Sequence, residues 1–136
     1  MQSNPSPLHP APAIAALQAH QTLLTMLREL YAPNVVWTAP ARGIRHAGRE
    51  EVIRHVLAEA SSMHDPEFSF LRRSFNERQI IDEYAVRFVY AGSGFEKAPI
   101  DTGDCVELNR VRILDLVAGR VTVETCIETW TVLHPK

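Results

Sequence analysis

Apolar side chains recur at three- and four-residue steps in the first half of the chain and at two-residue steps in the second half. The first pattern covers Ala13 to about Leu30 and Arg49 to about Met63, and it predicts two helical regions, each with one apolar face. Within the first region Thr22 suits the start of a helix, so a break at His20-Gln21-Thr22 is one interpretation.

Strand patterns fill most of the remaining chain. A short strand is expected at Val35, Val36 and Trp37, closed by Pro40, with a loop at residues 43–48. Further extended segments are expected at residues 67–81, 84–90, 104–116 and 120–132, separated by a turn at 82–83, a loop at 91–103 and a hairpin connection at 117–119. Helices followed by an antiparallel meander predict an α+β fold, with the helices packed on one face of a strongly curved, mainly antiparallel sheet.

Length and charge limit the classes of protein that fit. With 136 residues, the chain is long enough for one domain and too short for two. A net charge of −2, from 14 basic and 16 acidic side chains, provides no basic excess for a nucleic-acid partner. No apolar run approaches the roughly 20 residues that span a bilayer, and no secretory start is present. We therefore expect a cytoplasmic protein without a membrane partner.

The placement of proline and cysteine adds two expectations. Four prolines interrupt regular structure near the start, so residues 1–12 are predicted to form a flexible arm and residues 13–134 a single domain. Cys105 and Cys126 are the only cysteines, and their opposite strand parity argues against a disulfide between them. Free thiols are expected.

Three short motifs carry a resemblance to a known family. They are Tyr31-Ala-Pro-Asn-Val-Val-Trp37, Gly48-Arg-Glu50 at the start of a helix, and Gly119-Arg-Val121 at the start of the last strand. In this order and spacing, residues 14–133 resemble the nuclear transport factor 2-like superfamily, in particular its branch of SnoaL-type polyketide cyclases and ketosteroid isomerases. The resemblance implies a cystatin-like cone, in which a bent sheet wraps around a helix and leaves an apolar cavity open at one end.

The catalytic groups of the best-known enzymes of this superfamily are missing. Ketosteroid isomerases use a carboxylate base at the end of the first strand, with a tyrosine and a neutral carboxylic acid as oxyanion donors. The resemblance puts Ala39, Ala15 and Arg112 at those three positions. The Arg, Asp and Asp positions of the limonene epoxide hydrolase branch fall on Tyr84, Val86 and Cys126. Neither chemistry is therefore expected.

The hairpin connection at 117–119 determines which side chains of the last two strands share a face. A three-residue connection predicts the pairs Leu116–Arg120, Leu114–Thr122, Arg112–Glu124, Arg110–Cys126 and Leu108–Glu128. The resemblance places this even-numbered set on the concave, cavity side. The outer face then carries Val111, Ile113, Val121, Val123 and Ile127. A homodimer through that face is the usual way to cover it in this family.

Four charged side chains fall on the predicted concave face, namely Arg110, Arg112, Glu124 and Glu128. Because buried charges must be paired, we expect an Arg112–Glu124 ion pair across the hairpin. Two interpretations remain open. The cluster either orients a polar substrate and supplies a general acid or base, or forms an ion-pair network with a structural role alone.

The walls of the cavity are expected from the first and middle strands as well. Trp37 and Ala39 share one strand face, and Tyr84, Val86 and Phe88 share another. The complete predicted substrate-binding set is Trp37, Ala39, Tyr84, Val86, Phe88, Leu108, Arg110, Cys126 and Glu128. Core packing and ligand lining are both compatible with these apolar positions.

Two histidines, His46 and His64, are candidates for proton transfer. His46 precedes the helix that begins near Arg49, close to where the family's cavity opens, and His64 follows that helix. Either imidazole can carry a proton near neutral pH, although an exposed histidine without a role is the simpler interpretation. No metal-ligand spacing surrounds these histidines or the cysteines, so neither a metal nor another cofactor is expected.

Two functions from different classes fit these residues. The first is an enzyme that acts on a small, mainly apolar molecule by proton transfer, as an isomerase, cyclase or dehydratase. Its catalytic candidates are Glu124, Arg112 and His46. The second is a non-catalytic ligand-binding or dimeric assembly module, which the absence of catalytic groups at Ala39 and Ala15 favours.

Overall fold

The computed structural model describes residues 10–136 as two helices and six strands. The elements are α1 Pro10–Leu30, β1 Tyr31–Ala39, β2 Ile44–Ala47, α2 Arg49–Ser61, β3 Met63–Phe75, β4 Gln79–Tyr90, β5 Cys105–Val117 and β6 Arg120–His134, with a single 3₁₀ turn at Pro40–Arg42. No helix among the described residues is long and apolar enough to cross a membrane.

The six strands form one mixed sheet in the order β2-β1-β6-β5-β4-β3. The four strands from β3 to β6 make an antiparallel meander, and β1 joins it parallel to β6. Register shifts interrupt the β1–β6, β3–β4 and β5–β6 pairs, and such bulges bend strands and increase their twist. The predicted α+β fold, with helices packed on a curved and mainly antiparallel sheet, is confirmed.

Two clusters of buried side chains form the core. The first joins both helices to β1, β5 and β6, and it contains Tyr31, Val35, Trp37, Ala39, Ile44, Val52, Ile53, Leu114, Val121 and Cys126. The second lies among β4, β5 and the loop that connects them, and it contains Tyr84, Val86, Phe88, Tyr90, Phe95, Val106 and Leu108. The cavity described below lies where residues of both clusters meet.

The helices differ from their predicted bounds. α1 is continuous through His20-Gln21-Thr22 and begins at Pro10, where a proline in the first turn costs no hydrogen bond. Residues 10–12 are therefore helical rather than part of an arm, and residues 1–9 of the predicted arm lie outside the described residues. α2 begins at Arg49 as predicted and ends at Ser61.

Two predictions about the strands were wrong. Residues 44–47 form β2 instead of a loop, paired with the end of β1. The turn expected at Asp82-Glu83 lies instead at residues 76–78, where the Asn76 side chain accepts hydrogen bonds from the N–H groups of Arg78 and Gln79. Asp82 is buried within β4 because Arg73 on the neighbouring strand pairs with it.

The β5–β6 hairpin has a shorter turn than predicted. Ala118 and Gly119, both with positive φ, connect Val117 to Arg120 directly. A bulge at Thr122 then moves the register, so that Arg112 lies opposite Cys126 and Arg110 opposite Glu128. Beyond the bulge the predicted pairs are wrong by two residues, and an even error leaves every side chain on its predicted face.

Val121 is the exception. It precedes the bulge, lies opposite Leu116, and is buried in the first core cluster rather than on the outer face. The other predicted outer residues lie beyond the bulge or on β5, and Ile127 among them is 54% exposed.

The loop at 91–104 is tied to the C-terminal end of α2. Ser62 accepts hydrogen bonds from Ala91 N through its carbonyl, at 2.9 Å, and from Gly94 N through its hydroxyl, at 2.8 Å. Gly94 passes so close that a Cβ atom there would lie 2.0 Å from the carbonyl oxygen of Ala58. This close approach brings Phe95 into the second core cluster and Glu96 next to α2.

Candidate functional site

A cavity of about 290 Å³ lies between the helices and the concave face of the sheet. Seven of the predicted site residues line it, namely Trp37, Tyr84, Val86, Leu108, Arg110, Arg112 and Glu124. The rest of the lining is Leu27, Leu30, Tyr31, Val56, Glu59, Ala60, Met63, Phe68 and Phe95. The wall is therefore mainly apolar, with a small set of polar groups, as is usual for small-molecule sites.

Glu124 is one of two buried carboxylates on the wall of this cavity, the other being Glu59, and only 2% of Glu124 is exposed. The Tyr31 hydroxyl donates a 2.7 Å hydrogen bond to its Oε1 atom, and Arg112 Nε donates a 2.9 Å hydrogen bond to its Oε2 atom. The predicted Arg112–Glu124 ion pair is thus present, although the two residues are diagonal rather than directly opposite. Both carboxylate oxygens have a donor, which is what a buried charge requires.

The electrostatics of this group keep its donors protonated. Burial raises the pKa of Tyr31 far above that of an ordinary phenol, and the charge of Glu124 raises it further. Burial by itself would lower the pKa of Arg112, but the carboxylate of Glu124 outweighs that effect and raises it. Glu124 therefore lies between one neutral and one positively charged donor.

Two polar groups on the cavity wall have hydrogen-bonding capacity left. Among the described residues, the Nη atoms of Arg112 make no hydrogen bond, and Nη1 lies 3.9 Å from Asp82 Oδ2. Tyr84 Oη accepts a 3.2 Å hydrogen bond from Arg110, and its own hydrogen has no acceptor in the described part of the chain. Burial raises the pKa of Tyr84, so its hydroxyl stays a donor at neutral pH. Both groups can bind an oxygen atom of a ligand.

A second polar network includes Arg110 and consists of two guanidinium and two carboxylate groups. Arg42 contacts Glu59 at 2.8 Å and Glu128 at 2.8 Å. Arg110 contacts the same two carboxylates, with Nη2 3.1 Å from Glu59 and Nε 3.0 Å from Glu128. We call Arg42, Glu59, Arg110 and Glu128 the buried ion-pair ring. Its charges balance, and each member has two partners of opposite sign.

The acidity of Glu59 follows from this ring. Burial raises the pKa of the Glu59 carboxyl group, but the neighbouring His55 ring, the charge of Arg110 and the hydrogen bond from Arg42 together lower it to about 2. Glu59 is thus an ionised structural partner at neutral pH. It is an unsuitable general acid, because its proton is lost far below the pH of most cellular reactions.

Five predicted site residues are absent from the cavity wall. Ala39 and Cys126 belong to the first core cluster, and burial raises the pKa of the Cys126 thiol so that it is a poor nucleophile. Phe88 stacks on Phe95 in the second cluster, at 5.4 Å between ring centroids. Glu128 is in the buried ion-pair ring. His46 lines a different pocket, together with His55 and Glu96.

The other predictions about single residues have clear outcomes. His64 is exposed beside Asp65 and lies away from the cavity wall. Cys105 and Cys126 are both free thiols, as predicted.

Sequence reasoning missed Tyr31, Arg42, Glu59 and His55. A signal was present for the two residues of α2, since His55 and Glu59 fall on the same helical face as the apolar Val52 and Val56. A charged residue at such a position must find a buried partner. Arg42 ends the 3₁₀ turn at Pro40–Arg42, which is too short for periodicity to indicate where its side chain points.

The family and the fold of the chain are shown by comparison with known proteins. A candidate SnoaL-like polyketide cyclase from Jannaschia sp. CCS1 is 15% identical, with a TM-score of 0.64 over 77% of this chain and 71% of the other. A candidate ketosteroid isomerase from Kribbella flavida DSM 17836 is 17% identical, with a TM-score of 0.58 over 85% of this chain and 73% of the other.

A third solved structure is a nuclear transport factor 2-like protein of unknown function from Cytophaga hutchinsonii ATCC 33406, which is 15% identical, with a TM-score of 0.57 over 77% of this chain and 84% of the other. At these identities the structures show a shared cone fold and carry no information about a shared reaction. No curated protein sequence matches the chain significantly. Residues 13–124 match the SnoaL-like domain family. The chain therefore belongs to the SnoaL-like family, as its three sequence motifs indicated.

Proposed function

We propose that this protein binds a small, mainly apolar molecule in the cone cavity and catalyses a proton transfer on it, as an isomerase, cyclase or dehydratase does. The observation that carries the proposal is the buried Glu124 carboxylate on the wall of an apolar cavity. At about 290 Å³ the cavity lies near the low end of the range of about 300–1,000 Å³ for small-molecule sites. A compact molecule is the best fit.

The roles follow from the hydrogen bonds. Glu124 is the general base or acid, since a carboxylate in an apolar cavity can exchange a proton with a carbon or oxygen atom of the ligand. Tyr84 and the Nη atoms of Arg112 are the groups with free donors, and they bind the oxygen on which negative charge develops. Tyr31 holds Glu124 in place through its 2.7 Å hydrogen bond. His46 has no part in this reaction, because it is not on the cavity wall.

The second candidate function is a non-catalytic module that binds a ligand or assembles as a dimer. Both oxygens of Glu124 already have donors, so this carboxylate is satisfied without any substrate, and that favours the non-catalytic function. The exposed apolar residues Val117 on β5 and Ile127 on β6 suit a homodimer through the outer sheet surface. This function and the enzymatic one use the same cavity.

The first experiment identifies the ligand. Native mass spectrometry of the purified chain, followed by denaturing extraction, reveals any small molecule that remains in the cavity and the number of subunits. The proton transfer is then tested with that molecule, or with a panel of small cyclic ketones, in D₂O. Nuclear magnetic resonance detects the exchange of hydrogen for deuterium at the carbon beside the carbonyl group.

The variant that decides between the two functions is Glu124→Gln, which keeps the shape of the side chain and removes the base. We expect binding of the ligand to persist and deuterium exchange to fall by at least about a hundredfold. Glu107→Gln is the matched control, because Glu107 pairs with Arg87 at the surface and does not line the cavity. Binding without exchange by the unaltered protein would favour the non-catalytic module, and exchange unaffected by Glu124→Gln would reject the assigned base.

A further inference from the structure

Two histidines and a glutamate meet beside a second pocket, which has a volume of about 520 Å³. His46 comes from β2, His55 from α2 and Glu96 from the loop at 91–104, and their ligating atoms lie within 4.8 Å of one another. We propose that these three side chains bind a divalent transition-metal ion of the Zn²⁺ class. The remaining coordination positions face the pocket, where water or another small ligand completes them.

Two of the three separations between the ligand atoms suit such an ion, and the third, between the two imidazole nitrogens, is at most 4.8 Å. His46 Nε2 lies 2.9 Å from Glu96 Oε1, and His55 Nδ1 lies 3.6 Å from the same oxygen. Ligand atoms with bonds of about 2.0–2.1 Å to one metal ion are roughly 3–3.5 Å apart, whether the geometry is octahedral or tetrahedral. Glu96 is half-exposed on its loop, so its carboxylate has room to rotate when the ion binds.

Each histidine has a carboxylate beside its other ring nitrogen. His46 Nδ1 lies 3.3 Å from Glu51 Oε2, and His55 Nε2 lies 3.2 Å from Glu59 Oε2. These carboxylates are themselves fixed, Glu51 by the N–H group of Ala47 at 2.9 Å and Glu59 by Arg42. Histidines that ligate a metal usually direct their second nitrogen at a carboxylate, which orients the ring and strengthens it as a ligand.

His55 is incompletely satisfied without an ion. Only 5% of the residue is exposed. Its Nδ1 atom is too far from Glu96 for a hydrogen bond, and its Nε2 atom is not aligned for one with Glu59. Leaving a buried polar nitrogen without a partner costs about 1–3 kcal/mol. A metal ion would give Nδ1 a partner and would leave Nε2 as the donor that faces Glu59, 3.2 Å away.

The ligand types determine which ion fits. Two imidazoles and one carboxylate suit Zn²⁺, Co²⁺ and similar ions, whereas Mg²⁺ and Ca²⁺ prefer oxygen ligands. The buried ion-pair ring is neutral, which leaves the carboxylates of Glu51 and Glu96 against the guanidinium group of Arg54 on the wall of this pocket. The local balance of charge therefore favours a cation.

The site is separate from the proposed reaction. His46 and Glu96 are absent from the wall of the cone cavity, while Trp37 and Glu59 line that cavity and contact His55 from the other side. Metal binding can accordingly be measured without a substrate, and its failure would leave the roles of Glu124 and Arg112 unaffected.

Co²⁺ titration of the chelator-treated, full-length protein tests the proposal. The centroid of the His55 ring lies 4.1 Å from that of Trp37, so Co²⁺ bound there should quench the fluorescence of Trp37. We expect saturation at one ion per chain, with the visible absorption bands of coordinated Co²⁺. Zn²⁺ should displace the ion, and Mg²⁺ in excess should not.

The variants Glu96→Gln and His46→Gln remove one ligand each at partly exposed positions, so the fold should be retained. Each should weaken Co²⁺ binding by at least about tenfold. His64→Gln is the control, because His64 is an exposed histidine outside the site. The proposal is overturned if the unaltered protein shows no saturable Co²⁺ binding, or if the two ligand variants bind Co²⁺ as tightly as His64→Gln does.

Discussion

The Tyr31 hydroxyl donates a 2.7 Å hydrogen bond to Glu124 Oε1, joining the start of β1 to the middle of β6 across 93 residues of chain. Replacing Tyr31 with Phe removes that donor and leaves the buried Oε1 atom of Glu124 without a donor among the described residues. We expect Tyr31→Phe to lower the free energy of unfolding by about 1–3 kcal/mol, as measured by urea denaturation.

Tyr84→Phe is the comparison for this change. Tyr84 Oη accepts from Arg110, which has Glu59 and Glu128 as further partners, so the loss of that hydroxyl should cost less than the loss of the Tyr31 hydroxyl. Equal losses in the two variants would show that Glu124 does not depend on Tyr31.

The effect of Tyr31→Phe should also depend on pH. Burial and the charge of Glu124 raise the pKa of Tyr31 in the folded state. In the unfolded chain the tyrosine hydroxyl loses its proton near pH 10. A raised pKa contributes stability below the unfolded value and loses it as the pH rises towards the folded value. The stability difference between the unaltered protein and Tyr31→Phe should therefore be constant below about pH 10 and shrink above it. Urea denaturation at a series of pH values measures this difference, and a difference that grows with pH would contradict the assignment.

Arg42 should be one of the most costly charged residues to replace. Arg42→Met leaves Glu59 and Glu128 buried with one fewer cation between them, and breaking a buried ion pair from one side costs about 3–5 kcal/mol. Arg87→Met is the matched control, since Arg87 pairs with Glu107 at the surface, where such pairs contribute about 0–1 kcal/mol. Thermal and urea unfolding of both variants measure the contrast, and similar losses would mean that the buried ion-pair ring adds no more than a surface pair.

Gly94 should tolerate no side chain. In Gly94→Ala the added Cβ atom would lie 2.0 Å from the carbonyl oxygen of Ala58, so the loop at 91–104 must move away from α2. Overpacking of this kind costs about 1–3 kcal/mol, and we expect a corresponding fall in the unfolding temperature. Ser93→Ala, at the exposed neighbouring position, should leave that temperature unchanged. A Gly94→Ala variant as stable as Ser93→Ala would mean that the loop moves freely.

The faces of the strands were more predictable from sequence than their pairing. The Arg112–Glu124 ion pair was expected from a register that proved wrong by two residues, and it is present because a two-residue error preserves the face of every side chain. Val121 was assigned to the wrong face because the bulge at Thr122 has no signal in the alternation of apolar residues. Register depends on turn type and bulges, which periodicity does not determine.

Contacts made by residues in turns and loops could not be predicted from the sequence either. Arg42 lies in the 3₁₀ turn and Glu96 in the loop at 91–104, and their side chains reach Glu59 and His46 only because tertiary contacts fix the backbone there. No spacing in the sequence joins His46, His55 and Glu96, since each comes from a different element. His55 and Glu59 were accessible to prediction, because a polar residue on the apolar face of a helix indicates a buried partner.

The bulge at Thr122 has a consequence for how this strand can change during evolution. Val121 and Glu124 are three residues apart, yet both point inwards because the extra residue resets the alternation between them. Deleting Thr122 would only remove the bulge, because the pairs on either side of it, Leu116–Val121 and Asp115–Val123, are already consecutive along β5, and Glu124 would still point inwards. Deleting one residue between Glu124 and Glu128 would instead turn one of these two carboxylates towards the outer surface. The length of β6 can therefore change at the bulge, whereas a change of one residue beyond it divides the inward-facing carboxylates between the two faces of the sheet.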